Sequence, residues 1–287
     1  MKEDRGMVNS SLCMPYHLVA LSEISVDAYA CRTQIEWQLL VWKGLKMLYW
    51  IIYLIASFFA GAVQTITGFG AGIFLVLALT GLFDLVSASA INTSICLILS
   101  FILAFRFRTK SCLKLVLFPA FVYVLVSVFI INYLKGFNLD SLAIAFGTFL
   151  IALSTFFLCF SSRIRMKSNY RSAFLAAGVS GVFSGLFSIG GPLMGIYFLN
   201  VTEDHESYLG NIQLMFAITN MVNMAARVAN GQYAVNMVPA SVLGILFVLI
   251  GIRVGSWVYS SINVRLLKTI IYIFVGISGV ITILQHL

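Results

Sequence analysis

Charged residues interrupt the sequence after residue 46 at intervals that predict a series of membrane-crossing helices. A helix needs about 20 consecutive apolar residues to cross a hydrocarbon core near 30 Å thick. Eight apolar segments are long enough: 47–67, 85–105, 115–134, 141–160, 172–189, 207–226, 235–258 and 266–287. Two further segments, 70–83 and 190–200, are shorter. At a rise of about 1.5 Å per residue, each would reach only about 15–20 Å. The pattern predicts an all-α membrane protein.

Each short segment follows a glycine-rich sequence, and the two glycine-rich sequences resemble one another. We call them the first break, Gly61–Gly72 (GAVQTITGFGAG), and the second break, Gly181–Pro192 (GVFSGLFSIGGP). The two breaks begin 120 residues apart, and the dipeptide Pro-Ala recurs with the same spacing at positions 119 and 239. Glycine- or proline-broken apolar segments at matching places in two halves of a chain point to the binding site of a transporter.

The spacing of the segments predicts a duplicated architecture. Counting each break as a helical hairpin gives ten segments, five in each half. An odd number of segments per half inserts the second copy upside down, so we expect two inverted repeats, 47–162 and 170–287, after an N-terminal extension at 1–46. Two acid-free basic loops, 106–114 and 163–171, are separated by two segments and therefore share a side, which the positive-inside rule makes cytoplasmic. Counting each broken pair as one crossing gives eight spans, and this alternative stays open.

Composition strengthens the membrane assignment and argues against several classes of function. The chain is 61% hydrophobic and 10% charged, whereas soluble domains contain about 25% charged residues. The formal net charge of +8 lies in short loops, which suits membrane insertion and gives no reason to expect nucleic-acid binding. The cysteines and histidines are scattered, so we expect no metal and no cofactor. No Ser/His/Asp, HExxH or P-loop pattern indicates an enzyme, and no cleavable signal peptide is evident at the start.

The breaks are candidates for an anion site built from backbone groups. In lipid, an unwound turn is tolerated only where it is buried in protein or lines a wet cavity. Gly68, Gly70, Gly190 and Gly191 would let the backbone approach a ligand closely. The short helices that follow would point bare N–H groups and positive dipole ends towards the centre of the protein. Close packing of helices through small residues is the alternative explanation for these glycines.

Polar side chains near the breaks are candidates to complete this site. They are Gln64, Thr67, Ser184 and Ser188 within the breaks, and Asn92, Thr93, Ser94, Asn211 and Gln213 at the start of the next long segments. Amides and hydroxyls can surround an oxyanion while keeping its binding reversible, although interhelical hydrogen bonding would also explain them. Arg227, at the end of an apolar segment, is a candidate anion partner or gate, or else a side chain that snorkels to the interface. No carboxylate lies in the middle of a segment as an obvious proton carrier.

The paired breaks and the helix start after the first one form a recognisable set of motifs. GAVQTITGFGAGIFLVLALTGL and GVFSGLFSIGGPLMGIYFLNV, with SASAINTSICLIL containing Asn92-Thr93-Ser94, resemble the TauE/SafE family of sulfite exporter-like permeases. The resemblance covers about residues 50–287, and the second copy departs from the pattern at Pro192 and in LGNIQLMF. The resemblance implies a bacterial inner-membrane transporter of small sulfur-containing anions, such as sulfite, sulfoacetate or related organosulfonates.

The expected function is therefore secondary transport with alternating access, in which one repeat moves against the other around a central anion site. The expected partners are a small anionic substrate, a coupling ion (H⁺ or Na⁺) and the lipid bilayer, and a homodimer is left open. A channel-like anion conduit, or a transporter of a different small organic anion, is the alternative. A membrane enzyme or scaffold is a more distant one.

Overall fold

A computed structural model describes residues 44, 46–134, 139–160, 169–258 and 264–285. The chain divides into two units, residues 1–48 and 49–287. Of the first unit only residues 44 and 46–48 are described, so the predicted extension at 1–46 lies almost entirely outside the described residues. Residues 163, 165 and 167, the first three basic residues of the predicted cytoplasmic loop 163–171, also lie outside the described residues.

The described residues form ten α-helices and no strand, which confirms the all-α prediction. In chain order the helices are α1 (Lys46–Thr67), α2 (Ala71–Leu79), α3 (Leu85–Arg106), α4 (Leu113–Tyr133), α5 (Leu139–Phe160), α6 (Tyr170–Phe187), α7 (Gly191–Val201), α8 (His205–Ala229), α9 (Val238–Val258) and α10 (Val264–Gln285). The two short helices, α2 and α7, follow the two breaks as the sequence predicts.

Among the described residues, four helices are long and apolar enough to cross a membrane: α1, α3, α4 and the stretch Val235–Val258 that contains α9. Their outward faces carry large apolar side chains. In α4, Phe121, Leu125 and Phe129 are all more than half exposed, and their four-residue spacing puts them on one side of the helix. Such faces suit lipid rather than water, so these helices indicate a multi-pass membrane protein. The count of ten membrane segments stays a prediction.

Polar residues at segment ends fix where three of the helices begin. The side chains of Asp84, Asn169 and Asp204 each accept a hydrogen bond from the backbone N–H three residues further on, at the starts of α3, α6 and α8. Such N-caps satisfy one of the backbone donors that a helix start leaves free. Because the Asp204 carboxylate accepts hydrogen bonds from both the backbone N–H and the hydroxyl of Ser207, its pKa lies below the ordinary value.

Glycines bring two pairs of helices into close contact. Gly61 of α1 packs on the backbone carbonyl of Val248 in α9, and Gly181 of α6 packs on the carbonyl of Tyr123 in α4. A methyl group on either glycine would collide with that carbonyl. The small residues of the breaks therefore do serve helix packing, in addition to any role in binding.

These two contacts join residues at corresponding positions of the two halves. Helices α2 and α7 begin 120 residues apart, as do α3 and α8, whereas α4 and α9, like α5 and α10, begin 125 residues apart. With these offsets, Gly61 corresponds to Gly181 and Tyr123 corresponds to Val248. The contact of α1 with α9 therefore repeats the contact of α6 with α4.

The two Pro-Ala dipeptides do not follow this correspondence. Pro119 is the seventh residue of α4, whereas Pro239 is the second residue of α9. The chain from the start of α8 to the start of α9 is five residues longer than the chain from the start of α3 to the start of α4. The 120-residue spacing of the prolines is therefore coincidental, and their use as a mark of the repeat is wrong.

Helices α3 and α8 lie side by side in opposite directions. Gly210, near the start of α8, packs against the backbone of Phe107 and Lys110 just beyond the end of α3. The Nζ atom of Lys110 also lies 3.7 Å from the carboxylate of Glu206. Because the two helices also pack along their lengths, the start of one beside the end of the other makes them antiparallel.

Candidate functional site

The first break unwinds between α1 and α2. Helix α1 ends at Thr67, and Gly68 and Gly70 adopt φ angles of 83° and 108°, which glycine reaches without a steric penalty. Gly81, just beyond α2, packs on Tyr49 near the start of α1. Helix α2 therefore folds back along α1 as a hairpin, and the glycines are needed for the turn.

The second break turns through a serine. Helix α6 ends at Phe187, and Ser188 has a φ of 58°, the only positive φ at a described residue other than glycine. A left-handed conformation costs about 1–2 kcal/mol for a residue with a side chain. Ser188 lies 120 residues after Gly68, so both breaks place a left-handed residue at the corresponding position. Pro192 lies in the first turn of α7, where a missing N–H breaks no helical hydrogen bond.

The two breaks are in direct contact. A Cβ atom placed on Gly72 would lie 2.9 Å from the carbonyl oxygen of Ser188, and one on Gly191 would lie 2.9 Å from the Cβ atom of Phe69. Real Cβ atoms do not approach other atoms this closely. Glycine at 72 and at 191 is therefore required by the crossing of one break over the other.

Helix α3 holds the second break. The Asn92 side chain donates from Nδ2 to the carbonyl of Ser188 at 3.2 Å and to the carbonyl of Gly72 at 3.3 Å, so one amide joins both breaks. The hydroxyls of Thr93 and Ser188 are hydrogen-bonded at 2.8 Å. The Cys96 thiol donates to Asn92 Oδ1 at 3.2 Å, which leaves the NH₂ group of Asn92 facing the two carbonyls.

Helix α8 holds the first break in the same manner. Gln213 donates from Nε2 to the carbonyl of Gly68 at 2.8 Å, and its Oε1 accepts from Nε2 of Gln64 at 3.2 Å. The Tyr208 hydroxyl donates to the carbonyl of Thr67 at 2.7 Å. These bonds satisfy carbonyls that the end of α1 leaves without helical partners.

A small cavity lies at the crossing of the two breaks; we call it the central cavity. It is lined by Gln64, Gly70, Gly72, Ile73, Cys96, Tyr123, Ser188, Ile189, Gly190, Gly191, Pro192, Phe216 and Asn220. Its volume is about 30 Å³, so it has room for water-sized molecules.

The predicted site residues fall into three groups. Those that line the central cavity are Gln64, Gly70, Ser188, Gly190 and Gly191. Those that hydrogen-bond to a break or form part of its turn are Thr67, Gly68, Asn92, Thr93, Ser184, Gln213 and Arg227. The remaining two bond elsewhere: Ser94 bonds to Ser241 of α9, and Asn211 accepts a hydrogen bond from the backbone N–H of Cys112 before α4.

Among the lining residues that the sequence prediction does not include, three carry a side chain able to hydrogen-bond: Cys96, Tyr123 and Asn220. Tyr123 lies in the middle of α4, and the sequence does not show which residues its side chain contacts. The sequence does contain a pattern that could have identified Asn220 as a site residue. Asn220 lies seven residues after Gln213 and four after Phe216, a spacing that puts all three on one face of α8.

Arg227 lies inside the protein rather than at an interface. Its side chain is completely buried, donating to the carbonyls of Ser184 and Gly185 at 3.3 and 2.9 Å and to Gln232 Oε1 at 3.1 Å. The guanidinium thus covers the last turn of α6, where a helix presents free carbonyls and the negative end of its dipole. Its Nε has no hydrogen-bond partner in the described chain. Snorkelling is excluded by this burial, and a role as anion partner stays a prediction.

The electrostatics of the central cavity favour an anion without any formal charge in its lining. The lining includes residues at the N-termini of both α2 and α7, which carry partial positive charge. A larger cavity of about 720 Å³ lies near the far end of α2, but its lining is mainly apolar and includes the carboxylates Asp84 and Asp140. That charge disfavours an anion, so the central cavity is the better candidate. No cluster of potential metal ligands occurs among the described residues.

These features define the class: a multi-pass α-helical membrane protein with two short helices that meet at glycine-rich breaks. The family model for sulfite exporter TauE/SafE matches residues 53–282. The chain belongs to this family, as the motifs in its sequence indicate, and the family consists of membrane transporters. No curated protein and no solved structure matches the chain.

Proposed function

We propose that the protein is a secondary transporter that moves small sulfur-containing anions, sulfite or organosulfonates such as sulfoacetate, across the bacterial inner membrane. The observation that carries the proposal is the central cavity, where two broken helices of a sulfite exporter family member cross and both short helices begin. Helix N-termini and neutral amides bind anions reversibly. A transported substrate must be released as well as bound, so weak neutral donors suit the task.

The proposed architecture is two inverted repeats of five helices, 47–162 and 170–287. Contacts exchanged between corresponding residues support it. Thr93 of α3 bonds to Ser188, and Gln213 of α8 bonds to Gly68. The members of each corresponding pair, 93 with 213 and 68 with 188, are 120 residues apart. Such reciprocal contacts are typical of elements related by two-fold symmetry, and the antiparallel arrangement of α3 and α8 is the one that inversion requires.

The proposed mechanism is alternating access around the central cavity. Each break is held by the long helix of the opposite repeat through a few hydrogen bonds, and these are the contacts that would have to change when one repeat rocks against the other. The small volume of the cavity fits a closed arrangement of the two breaks. Within this proposal the candidate binding residues stay those predicted from the sequence, with Cys96, Tyr123 and Asn220 added from the lining.

Uptake by proteoliposomes tests the transporter against a channel. Purified protein is reconstituted, and uptake of radiolabelled sulfite, sulfoacetate and isethionate is followed under imposed H⁺ or Na⁺ gradients. Accumulation above the equilibrium level, driven by one of the gradients, supports a secondary transporter and identifies the coupling ion. Passive flux that never exceeds equilibrium under any gradient supports the channel-like conduit. No flux of any sulfur anion rejects the proposed substrate class.

A further inference from the structure

The amides of Gln213 and Gln64 form a chain whose direction is set by the backbone of the first break. The Gly68 carbonyl can only accept a hydrogen bond, so Gln213 must turn its NH₂ group towards it, at 2.8 Å. The Gln213 oxygen then faces Gln64 and accepts from its Nε2 at 3.2 Å. The Oε1 atom of Gln64 is therefore the end of the chain. This fixes which atom of each amide is oxygen from the network itself.

The end of this chain lies at the central cavity. Gln64 lines the cavity and is only 3% exposed, and within the described chain its Oε1 accepts no hydrogen bond. Asn220 lines the same cavity, is 9% exposed, and its side chain makes no hydrogen bond to any described residue. Neither side chain is among the fully buried unpartnered atoms, so both can face the cavity, and a ligand that fills it covers them and leaves them unsatisfied unless it pairs with them. Two such groups at one cavity point to a ligand that supplies their partners.

We propose that the central cavity selects anions that carry a hydrogen-bond donor, and that Gln64 Oε1 accepts the hydrogen bond from this donor. The inference rests on the proposed anion function of the cavity and narrows its substrates: hydrogen sulfite and sulfonates with a hydroxyl or amino group are favoured over the sulfite dianion and sulfoacetate, which carry no donor. A carbonyl oxygen repels the oxygens of an anion that can only accept hydrogen bonds and remains unpaired beside it. An oxyanion that retains a proton, or that carries a hydroxyl or amino group, pairs with Gln64 Oε1. Asn220 can donate to the oxygens of the same anion.

This selection follows a general rule of recognition. A site built to hydrogen-bond a hydroxyl or amino group rejects the analogue that lacks it, because the polar group of the site is then left buried without a partner. The two N-termini attract anions of either kind, so charge alone would not separate them. The Gln64 acceptor would separate anions of equal charge and similar size.

Two size-matched pairs of anions test the inference on the full-length protein in detergent. Isethionate and 1-propanesulfonate differ by a terminal hydroxyl in place of a methyl group, and glycolate and propionate differ in the same way. Binding is measured by isothermal titration calorimetry. We expect isethionate to bind about tenfold or more tightly than 1-propanesulfonate, the size of effect that one unpaired buried acceptor produces. Equal binding of the two members in both pairs overturns the inference.

Variants of Gln64 locate the effect. In Gln64→Leu and Gln64→Met the preference for the hydroxylated anion should fall to about twofold or less, because the acceptor is gone. Thr65→Val is the matched control: Thr65 is the next residue of α1, is buried, bonds to the carbonyl of Gly61, and does not line the cavity. It should keep the wild-type preference. A preference that persists in every folded Gln64 variant overturns the inference, and the wild-type comparison decides alone if no Gln64 variant folds.

The outcomes also separate this inference from the proposed function. If neither sulfonate binds but glycolate binds more tightly than propionate, the organosulfonate part of the proposed function fails and the donor requirement stands. If the two sulfonates bind with equal affinity, and glycolate and propionate do as well, the donor requirement fails and the anion site stands. If none of the four anions binds, the donor requirement is overturned, and the uptake of sulfite by proteoliposomes decides the proposed function.

Discussion

Gln213 of α8 donates a hydrogen bond of 2.8 Å from Nε2 to the backbone carbonyl of Gly68 in the first break. The corresponding bond, of 2.8 Å, joins the hydroxyls of Thr93 in α3 and Ser188 in the second break. Thr93 lies 120 residues before Gln213, and Ser188 lies 120 residues after Gly68. Each break is thus held by the long helix of the other half. Glycine and serine occupy corresponding left-handed positions, and the side chains that hold them differ, so the geometry corresponds where the residue types do not.

Replacing Gln213 by leucine should destabilise the protein by about 1–3 kcal/mol, because it leaves the Gly68 carbonyl and the Gln64 amide without their partner. The measurement is thermal unfolding of the purified variant in detergent. Thr155→Val is the control, since the Thr155 hydroxyl is exposed and bonds only to a carbonyl of its own helix. If Gln213→Leu unfolds at the same temperature as Thr155→Val, the hydrogen bond from Gln213 to Gly68 does not stabilise the protein.

Two glycines of α6 form a matched pair for testing helix packing. At Gly178 an added Cβ meets no atom within 4 Å, whereas at Gly181 it would lie 2.8 Å from the Tyr123 carbonyl of α4. Gly178→Ala should be neutral or stabilise the protein by up to about 1 kcal/mol, since alanine favours a helix. Gly181→Ala should lower the unfolding temperature, because α4 and α6 must separate. Equal effects of the two substitutions would mean that the close approach of α4 and α6 is incorrect.

Arg227 can be tested for direct contact with the anion against a role in holding α6. Its two terminal nitrogens donate to the carbonyls of Ser184 and Gly185 and to Gln232, so we expect Arg227→Met and Arg227→Lys to reduce stability and anion affinity together. Lysine keeps the charge but cannot make the forked contacts of a guanidinium. Thermal unfolding and calorimetric titration with isethionate are compared for both variants. A loss of affinity with unchanged unfolding temperature would instead identify Arg227 as a direct anion partner.

Much of the fold is legible in the sequence because lipid imposes a simple rule. A segment that crosses a membrane must be apolar and helical along its length, so apolar lengths predict most helix positions. The glycines at 68 and 70 predict the unwound turn because few other residues adopt such φ angles. The 120-residue spacing holds up to the starts of α3 and α8. It fails for the prolines because extra residues between α8 and α9 shift the later helices.

The candidate site could be predicted only in part, because the sequence does not show which side of a helix faces the two breaks. Asn92, Thr93 and Ser94 are adjacent, yet successive residues point about 100° apart around a helix. Asn92 and Thr93 therefore reach the second break, whereas Ser94 faces α9. Asn211 precedes Gln213 by two residues and supports the start of α4 instead of the first break. Tyr123 reaches the cavity from the mainly apolar helix α4, where nothing in the local pattern distinguishes it.

Counterflow in proteoliposomes measures the central claim, that anions cross the membrane through the central cavity. A Cβ on Gly190 would collide with the Tyr123 hydroxyl and lie 2.7 Å from the Ser180 carbonyl, so Gly190→Ala fills the edge of the cavity, while Gly178→Ala changes α6 in open space. We predict exchange of radiolabelled sulfite or isethionate by the wild type and by Gly178→Ala, and at least about a tenfold loss in folded Gly190→Ala, as expected when roughly 1.4 kcal/mol or more of binding is lost. Undiminished exchange by folded Gly190→Ala would contradict the account.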